Sequence, residues 1–482
     1  MQTGKIERLE LHHVDIPMPT ALFPVWIPGY PQYRLHYTLL TVTTKDGHVG
    51  VATGPAFGRE RAGLGDFIAQ FLIGVDAYDL DAVHERLRQS SSLGWRNGWM
   101  ELAFWDLVGH ARGLPLSSLI LERLGVAPKQ PVPAALPVYA SFRELRPSKV
   151  RAESFERLQR LGFKAAKVSV HAMHEADDVA HIEAVRSAAG PDFGLAVHAH
   201  QGWSLSLVEQ VPQWSPERAR RFADRAASLD YRWLQEPLPD DAWDDLAALS
   251  SSAPLPIAGG DIIPTLRLLK MIAGHGCYGL LTPDAVFAGL TAVVGTMRIC
   301  LERGLDFSPA CNTDGLGVAA NAHVLAAWAS ATGLTGEAHR EVRADGVGHG
   351  LGSGHGPGSA HGLGSGHGLG SAHGHGSAHG RGSGFGLGLG LEYPWEPPAM
   401  MPEHRDTLLA SPIQVRADGQ IDVPTGPGLG VELDARALQR YAERFYVTTP
   451  LRFASNARRA GAKGTSIRAP RSRDKRGTMS SA

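Results

Sequence analysis

FGLAVHAHQGW, residues 193–203, decides how the rest of the chain is read. Leu195, Ala196 and Val197 form an apolar run too short for a helix, and two histidines, His198 and His200, close it. Helical patterns flank it on both sides. EADDVAHIEAVRSAAG precedes it and stops at Gly190; SPERARRFADRAASL follows, with Ser215 as N-cap and Pro216 at the first helical position. A short strand between two helices is a βα unit, and the same grammar extends outward. PVYAS, AAKVSV, RWLQ, PIAGG, GLLT and LDFSP are each an apolar run followed by a helical segment. Seven or eight such units in series predict a (β/α)-barrel. An open doubly wound sheet is the alternative, but no glycine-rich dinucleotide fingerprint follows the first strand.

The first ~130 residues have a different texture, an α+β one. In HYTLLTVTTKDGHVGVATG, two β-rich runs meet at Asp46-Gly47, a hairpin signal. WMELAFWDLVGHARG is a helix ending at Gly113. The expected organisation is an α+β capping domain over residues 1–130 and a barrel over 131–411. A Gly/His/Ser-rich insertion at 346–390 interrupts the barrel, 412–451 returns to the cap, and 452–482 is a basic, disordered tail. Within the insertion, histidines recur every six residues from His349 to His379, with His375 extra. That glycine content cannot offset the entropy of ordering, so a surface loop is expected, and weak divalent-metal capture by its imidazoles is the lesser reading.

Charge and cysteine usage exclude whole classes. The net charge of −1 is not that of a globally basic nucleic-acid binder, although the tail carries nine Lys/Arg against Asp474. Cys277, Cys300 and Cys311 have no paired spacing, which predicts neither disulfide nor zinc framework and a reducing cytoplasm. The N-terminus does not read as a signal peptide, and no stretch approaches a membrane span.

Barrel function collects at the C-terminal strand ends, where alternate residues point inward. Lys167, Ser169 and His171 share one face of the second strand; His198 and His200 end the third, and Gln235 the fourth with Glu236 one step on. Asp261 ends the fifth, Asp284 the sixth, Ala310 and Cys311 the seventh, and Glu392 caps the eighth. So many ionisable groups at strand ends predict a pocket rather than core, because buried charges without partners are costly. In FPVWIPGYPQYRLHY, Trp26, Tyr30, Tyr33 and Arg34 form a candidate lid, with Arg34 suited to a carboxylate or hydroxyl-rich ligand.

With these stretches in hand, together with WLQEPLP, LLTPDAVFAGL, GLGVAANAH, EYPWEPP and PTGPGLGVELD, the chain resembles the enolase superfamily over roughly residues 5–450. Within it, the resemblance is to the mandelate-racemase-like sugar-acid dehydratases and racemases. It implies an enolase-like modified barrel under an α+β cap, and proton abstraction alpha to a carboxylate with magnesium holding the enediolate. Its three metal carboxylates fall here on His198, Gln235 and Asp261; Glu236 could substitute for Gln235, but alternation turns it to the opposite side unless the Pro237 kink re-aims it. Its catalytic positions fall on Lys167, Asp284 and Glu392; the candidate substrate contacts are Trp26, Tyr30 and Arg34 of the lid segment with His171 and His200. Three departures matter. Imidazole, amide and one carboxylate replace three carboxylates, which disfavours magnesium and biases a site toward zinc, manganese or iron, or no metal. Ser169 follows Lys167 where a second basic group is expected, and Ala310 stands where the histidine oriented by Asp284 belongs. The leading expectation is therefore a divergent member with lost or strongly impaired ancestral activity. The alternatives are an active enzyme with a histidine-rich metal site and Lys167 as base, or a non-catalytic binder of carboxylates or sugar acids. A small-molecule acid and further copies of the chain are the expected partners, with no nucleic acid and no membrane.

Overall fold

Two sheets organise the computed structural model, which describes residues 4–55, 64–72, 74–92, 96–334 and 390–448. The histidine repeat and the basic tail lie outside the described residues. The first sheet is antiparallel and begins with β1 (Ile6–Leu22), β2 (Gln32–Thr44) and β3 (Val49–Pro55). β2 and β3 are joined at the expected Asp46-Gly47 turn, where Gly47 takes φ +91° and donates its amide to Thr44 O at 3.0 Å. Helices α1 (Leu64–Leu72), α2 (Leu80–Ser91), α3 (Glu101–Arg112) and α4 (Leu116–Leu124) follow. α3 lies directly on β3. A Cβ at Gly50 would stand 1.9 Å from Ala103 O, so only glycine permits the approach. Gly113 ends α3 in the left-handed conformation, φ +64°.

The second sheet is the barrel. Its eight parallel strands are β4 (Ala135–Ser141), β5 (Ala165–Ser169), β6 (Gly194–His198), β7 (Tyr231–Gln235), β8 (Ile257–Gly259), β9 (Leu280–Leu281), β10 (Asp306–Phe307) and β11 (Leu391–Pro394). Pairing runs β10-β9-β8-β7-β6-β5-β4-β11. At the seam between β10 and β11, Ser308 Oγ donates to Gly390 O at 3.3 Å. The helices after the strands are α5 (Ser148–Arg160), α6 (Glu175–Ala189), α7 (Pro216–Ser228), α8 (Trp243–Ser252), α9 (Leu266–His275), α10 (Ala285–Ala288), α11 (Leu290–Arg303) and α12 (Gly315–Thr332). Ser215 caps α7 through Arg218 N, with Pro216 next, as its sequence predicts.

Beyond the barrel come α13 (Pro402–Arg405), β12 (Gln420–Asp422), which pairs antiparallel with β4, and α14 (Ala435–Tyr441). The last strand, β13 (Ala442–Thr448), pairs with β1 and makes the first sheet β13-β1-β2-β3. The architecture is the expected α/β one, a modified barrel under an α+β cap. Among the described residues no helix is long and apolar enough to cross a membrane.

Candidate functional site

A floor of small and aromatic side chains fixes the depth of the site. Tyr139, Ala165, Ala196, Trp233, Ala258 and Leu280 pack together inside the barrel, with the Tyr139 and Trp233 rings edge to face at 5.6 Å. Alanines on three strands leave room for the two aromatics. One two-residue step toward the C-terminal end puts Ser141, Lys167, His198 and Gln235 above that floor.

On one side of this layer stands a buried ion pair. Lys167 Nζ lies 2.9 Å from Glu392 Oε1 and donates to Gln235 Oε1 at 2.8 Å. Glu392 also accepts from Ser141 Oγ at 2.5 Å and from the Cys311 amide at 3.3 Å. Burial raises the pKa of the Glu392 carboxyl, but Lys167 and the Ser141 hydroxyl outweigh it and leave the group below its ordinary value. Lys167 is thus the cation of a paired, hydrogen-bonded couple rather than a free amine.

On the other side, backbone geometry overrides strand alternation. Alternation turns Glu236 outward, yet Glu236 takes φ +47°, leaves the extended conformation before Pro237 and brings its carboxylate inward. Its amide still donates to Ala258 O at 2.9 Å, while Oε2 reaches 3.0 Å from His198 Nε2. A Cβ at Gly202 would stand 2.8 Å from the Glu236 carboxyl carbon, so the glycine of HAHQGW leaves room for that group. His198, Glu236 and Asp261 each offer one ligand atom, all within 4.8 Å of one another. Of the two fourth-strand candidates, Gln235 faces Lys167, whereas Glu236 lies in the cluster.

Electrostatics give the cluster its character. Burial raises the pKa of both Glu236 and Asp261, and each carboxylate lies in the field of other acidic groups. Asp261 Oδ1 is buried without a hydrogen-bond partner among the described residues. Burial, reinforced by Lys167, lowers the His198 pKa to about 3 and keeps its imidazole neutral, the form that ligates metals. Two crowded carboxylates, an unsatisfied oxygen and a neutral imidazole fit a divalent cation. The nitrogen donor makes the set poorer for magnesium than for manganese, iron or zinc.

The remaining expected residues are only partly gathered here. His200, at φ +53°, stacks on His198 with ring centroids 3.6 Å apart and places Nε2 2.9 Å from Ser169 Oγ. His171 is buried beneath, with Nδ1 3.2 Å from Ala199 O, and burial lowers its pKa to about 4. Asp284 is the N-cap of α10 and accepts from the Val286 and Asn312 amides and from Asn321 Nδ2. Its hydrogen-bonding capacity is spent on the fold, and Ala310 leaves it no imidazole to orient.

A cavity of about 150 Å³ opens over the cluster, lined by Trp26, Arg143, His198, His200, Asp261 and Glu392 among others. A second, of about 210 Å³, shares Trp26 and Arg143 and extends under the cap to Arg34, His36 and Arg405. Arg34 lines it while paired with Asp15. Tyr30 is 44 % exposed and lines neither. Arg143 and Trp203, absent from the residues expected from the sequence, both line the inner cavity. Arg143 was discoverable: it stands two residues beyond inward-facing Ser141 and shares its parity.

Residues 149–353 match the family model described as enolase C-terminal domain-like. That match lies within the barrel and marks it as similar to the enolase C-terminal domain. The enolase-like chain is 24% identical over 327 residues to the L-talarate/galactarate dehydratase of Salmonella typhimurium, covering 64% of this chain and 77% of that protein. It is 27% identical over 292 residues to the D-galactarolactone cycloisomerase of Agrobacterium fabrum, covering 58% and 69%. Among solved structures, the Salmonella dehydratase liganded with Mg and L-lyxarohydroxamate superposes with a TM-score of 0.64 at 19% identity, covering 93% of this chain and 94% of that one. The 3,6-anhydro-D-galactonate cycloisomerase of Zobellia galactanivorans gives 0.64 at 20% identity, covering 91% and 99%. These structural likenesses establish a shared enolase-like fold.

Proposed function

We propose that this enolase-like barrel binds a small hydroxylated carboxylate through a divalent metal held by His198, Glu236 and Asp261, and that ancestral proton abstraction is lost or strongly impaired. The observation that carries this reading is the fate of the basic groups. Lys167 is tied to Glu392 and Gln235, and Ser169 and Ala310 stand where the other bases of the family are expected. A hydroxyl hydrogen-bonded to His200 and a methyl group cannot take a proton from carbon at a useful rate. The metal, when bound, supplies Lewis acidity toward a carboxylate or hydroxyl oxygen. The chain's own residues supply the cluster, the neutral imidazole and a cavity roofed by Trp26. The names of the relatives, a dehydratase and a cycloisomerase of sugar acids, support the ligand class.

The test pairs binding with exchange. Manganese-loaded protein is titrated calorimetrically with a panel of C4–C6 hydroxy acids, and the same acids are incubated with it in D2O. Saturable, metal-dependent binding with α-hydrogen exchange at background is expected. Catalytic exchange or dehydration by the unaltered chain would sink the impairment, and metal-independent binding would sink the metal's role. Installing Ser169→Lys with Ala310→His is expected to raise exchange by about 10²-fold or more.

A further inference from the structure

Arg143 is a buried cation in want of an anion. It is 6 % exposed, and no described carboxylate lies within ion-pair distance of its guanidinium. The nearest Glu396 contact is to its backbone amide, at 2.8 Å; the Glu396 side chain is spent on Arg146 and Arg151. The guanidinium itself has only long contacts, NH2 at 3.4 Å from both Cys311 O and Asn312 Oδ1, and Nε has no partner. Trp26 lies across its face at 5.9 Å. Leaving a charge so poorly compensated is costly, because desolvation is not repaid by three long contacts. The other buried arginines among the described residues differ: Arg151 is paired with Glu396, Arg218 with Asp178 and Arg405 with Asp406.

Its position is as informative as its solvation. Arg143 lines both cavities, the inner one with His198 and Asp261 and the outer one with Arg34 and Arg405. A ligand seated over the metal cluster therefore has to pass or meet this guanidinium. We propose that Arg143, backed by Trp26, is a second anion-binding point, and that the preferred ligand is a small acid bearing a further anionic group, carboxylate or phosphate, beyond the metal-bound end. A planar fork of donors suits either group. The ligand class rests on the proposed function above; the anion site itself does not.

The experiment separates the two. In its first arm, chelator-stripped full-length protein is titrated with inorganic phosphate, following tryptophan fluorescence and thermal midpoint. A saturable response is expected, weakened at least tenfold in Arg143→Met and reduced less in Arg143→Lys, which keeps the charge but loses the fork. Arg143→Met should fold, because it exchanges an uncompensated charge for an apolar side chain of similar length; if it does not, Arg143→Lys decides alone. Equal phosphate binding by the unaltered protein and the variants overturns the site, as does no response or an adventitious ion only, shown by unsaturable binding. In the second arm, manganese-loaded protein is titrated with a hydroxy monoacid, the matching diacid and a phosphorylated hydroxy acid. The unaltered protein should prefer one dianion class at least tenfold over the monoacid, and the favoured class names the group. Arg143→Met should bring that preference to within about twofold. An unaltered protein that binds metal and acids without preference overturns the ligand class. Failure of all acids alongside intact phosphate binding overturns the proposed function and leaves the anion site standing.

Discussion

His198→Asp isolates the effect of one nitrogen donor. It restores a third carboxylate beside Glu236 and Asp261, so magnesium affinity should rise at least tenfold while zinc or manganese loses its advantage. Metal competition followed by calorimetry checks this. Glu236→Gln and Gln235→Ala form the complementary pair. The first should remove about one equivalent of metal from the full-length protein; the second should leave the stoichiometry unchanged, because Gln235 faces Lys167. Comparing variants with the unaltered chain cancels any metal taken by the histidine repeat. Inward parity made Lys167, His198 and Gln235 legible in the sequence. Glu236 was legible only as a conditional substitute for Gln235, because alternation turns it away unless Pro237 re-aims it, and φ +47° shows the strand leaving the extended conformation there. Arg143 was legible in parity but silent in meaning, since its isolation appears only once Trp26, Cys311 and Asn312 converge from distant parts of the chain.

Among the elements, the turn into α10 is held by the Asp284 carboxylate. Asp284 Oδ1 accepts from Val286 N at 2.8 Å, and Oδ2 accepts from Asn312 N at 2.9 Å. The carboxylate therefore ties the end of the sixth strand to the loop after the seventh. Burial raises its pKa to about 6, so it is fully ionised only above neutrality. Asp284→Ala leaves the buried Val286 amide and the part-buried Asn312 amide without their acceptor and should cost about 1–3 kcal/mol in urea denaturation, with metal stoichiometry unchanged. Loss of metal in that variant would show the turn to be coupled to the cluster through Asn312. Strand and helix positions were legible because caps and apolar runs are local. Ser215-Pro216 opens α7 and Gly113 closes α3 through contacts within one turn.

Across the whole molecule, cap and barrel are joined by a titratable tie. His84 of α2 hydrogen-bonds Glu101 at the start of α3, and the other oxygen of Glu101 accepts from Thr291 N of α11 at 3.0 Å. Glu101 raises the His84 pKa above its ordinary value, against the lowering effect of burial. A raised histidine pKa stabilises the fold fully below the unfolded value near 6.5, and that contribution disappears as pH rises through the folded value. His84→Gln should therefore destabilise the protein by about 1.5 kcal/mol at pH 5.5 and far less at pH 9. Denaturation at the two pH values reads the difference; an equal loss at both would show that the tie is not a charged one.

The placement of β13 has a consequence for how the protein is made. β1 has β2 on one side and β13 on the other, with the entire barrel encoded between them. Glu392 on β11 likewise meets Ser141 across a sequence separation of 251. Until the last strands emerge, a nascent chain carries an open strand edge in its cap and an unclosed barrel beside it. Such an edge is a template for pairing with other chains. Domain-by-domain maturation during synthesis is thus denied to this topology, and a ribosome stalled before Ala442 releases a product poised to aggregate rather than a smaller working protein.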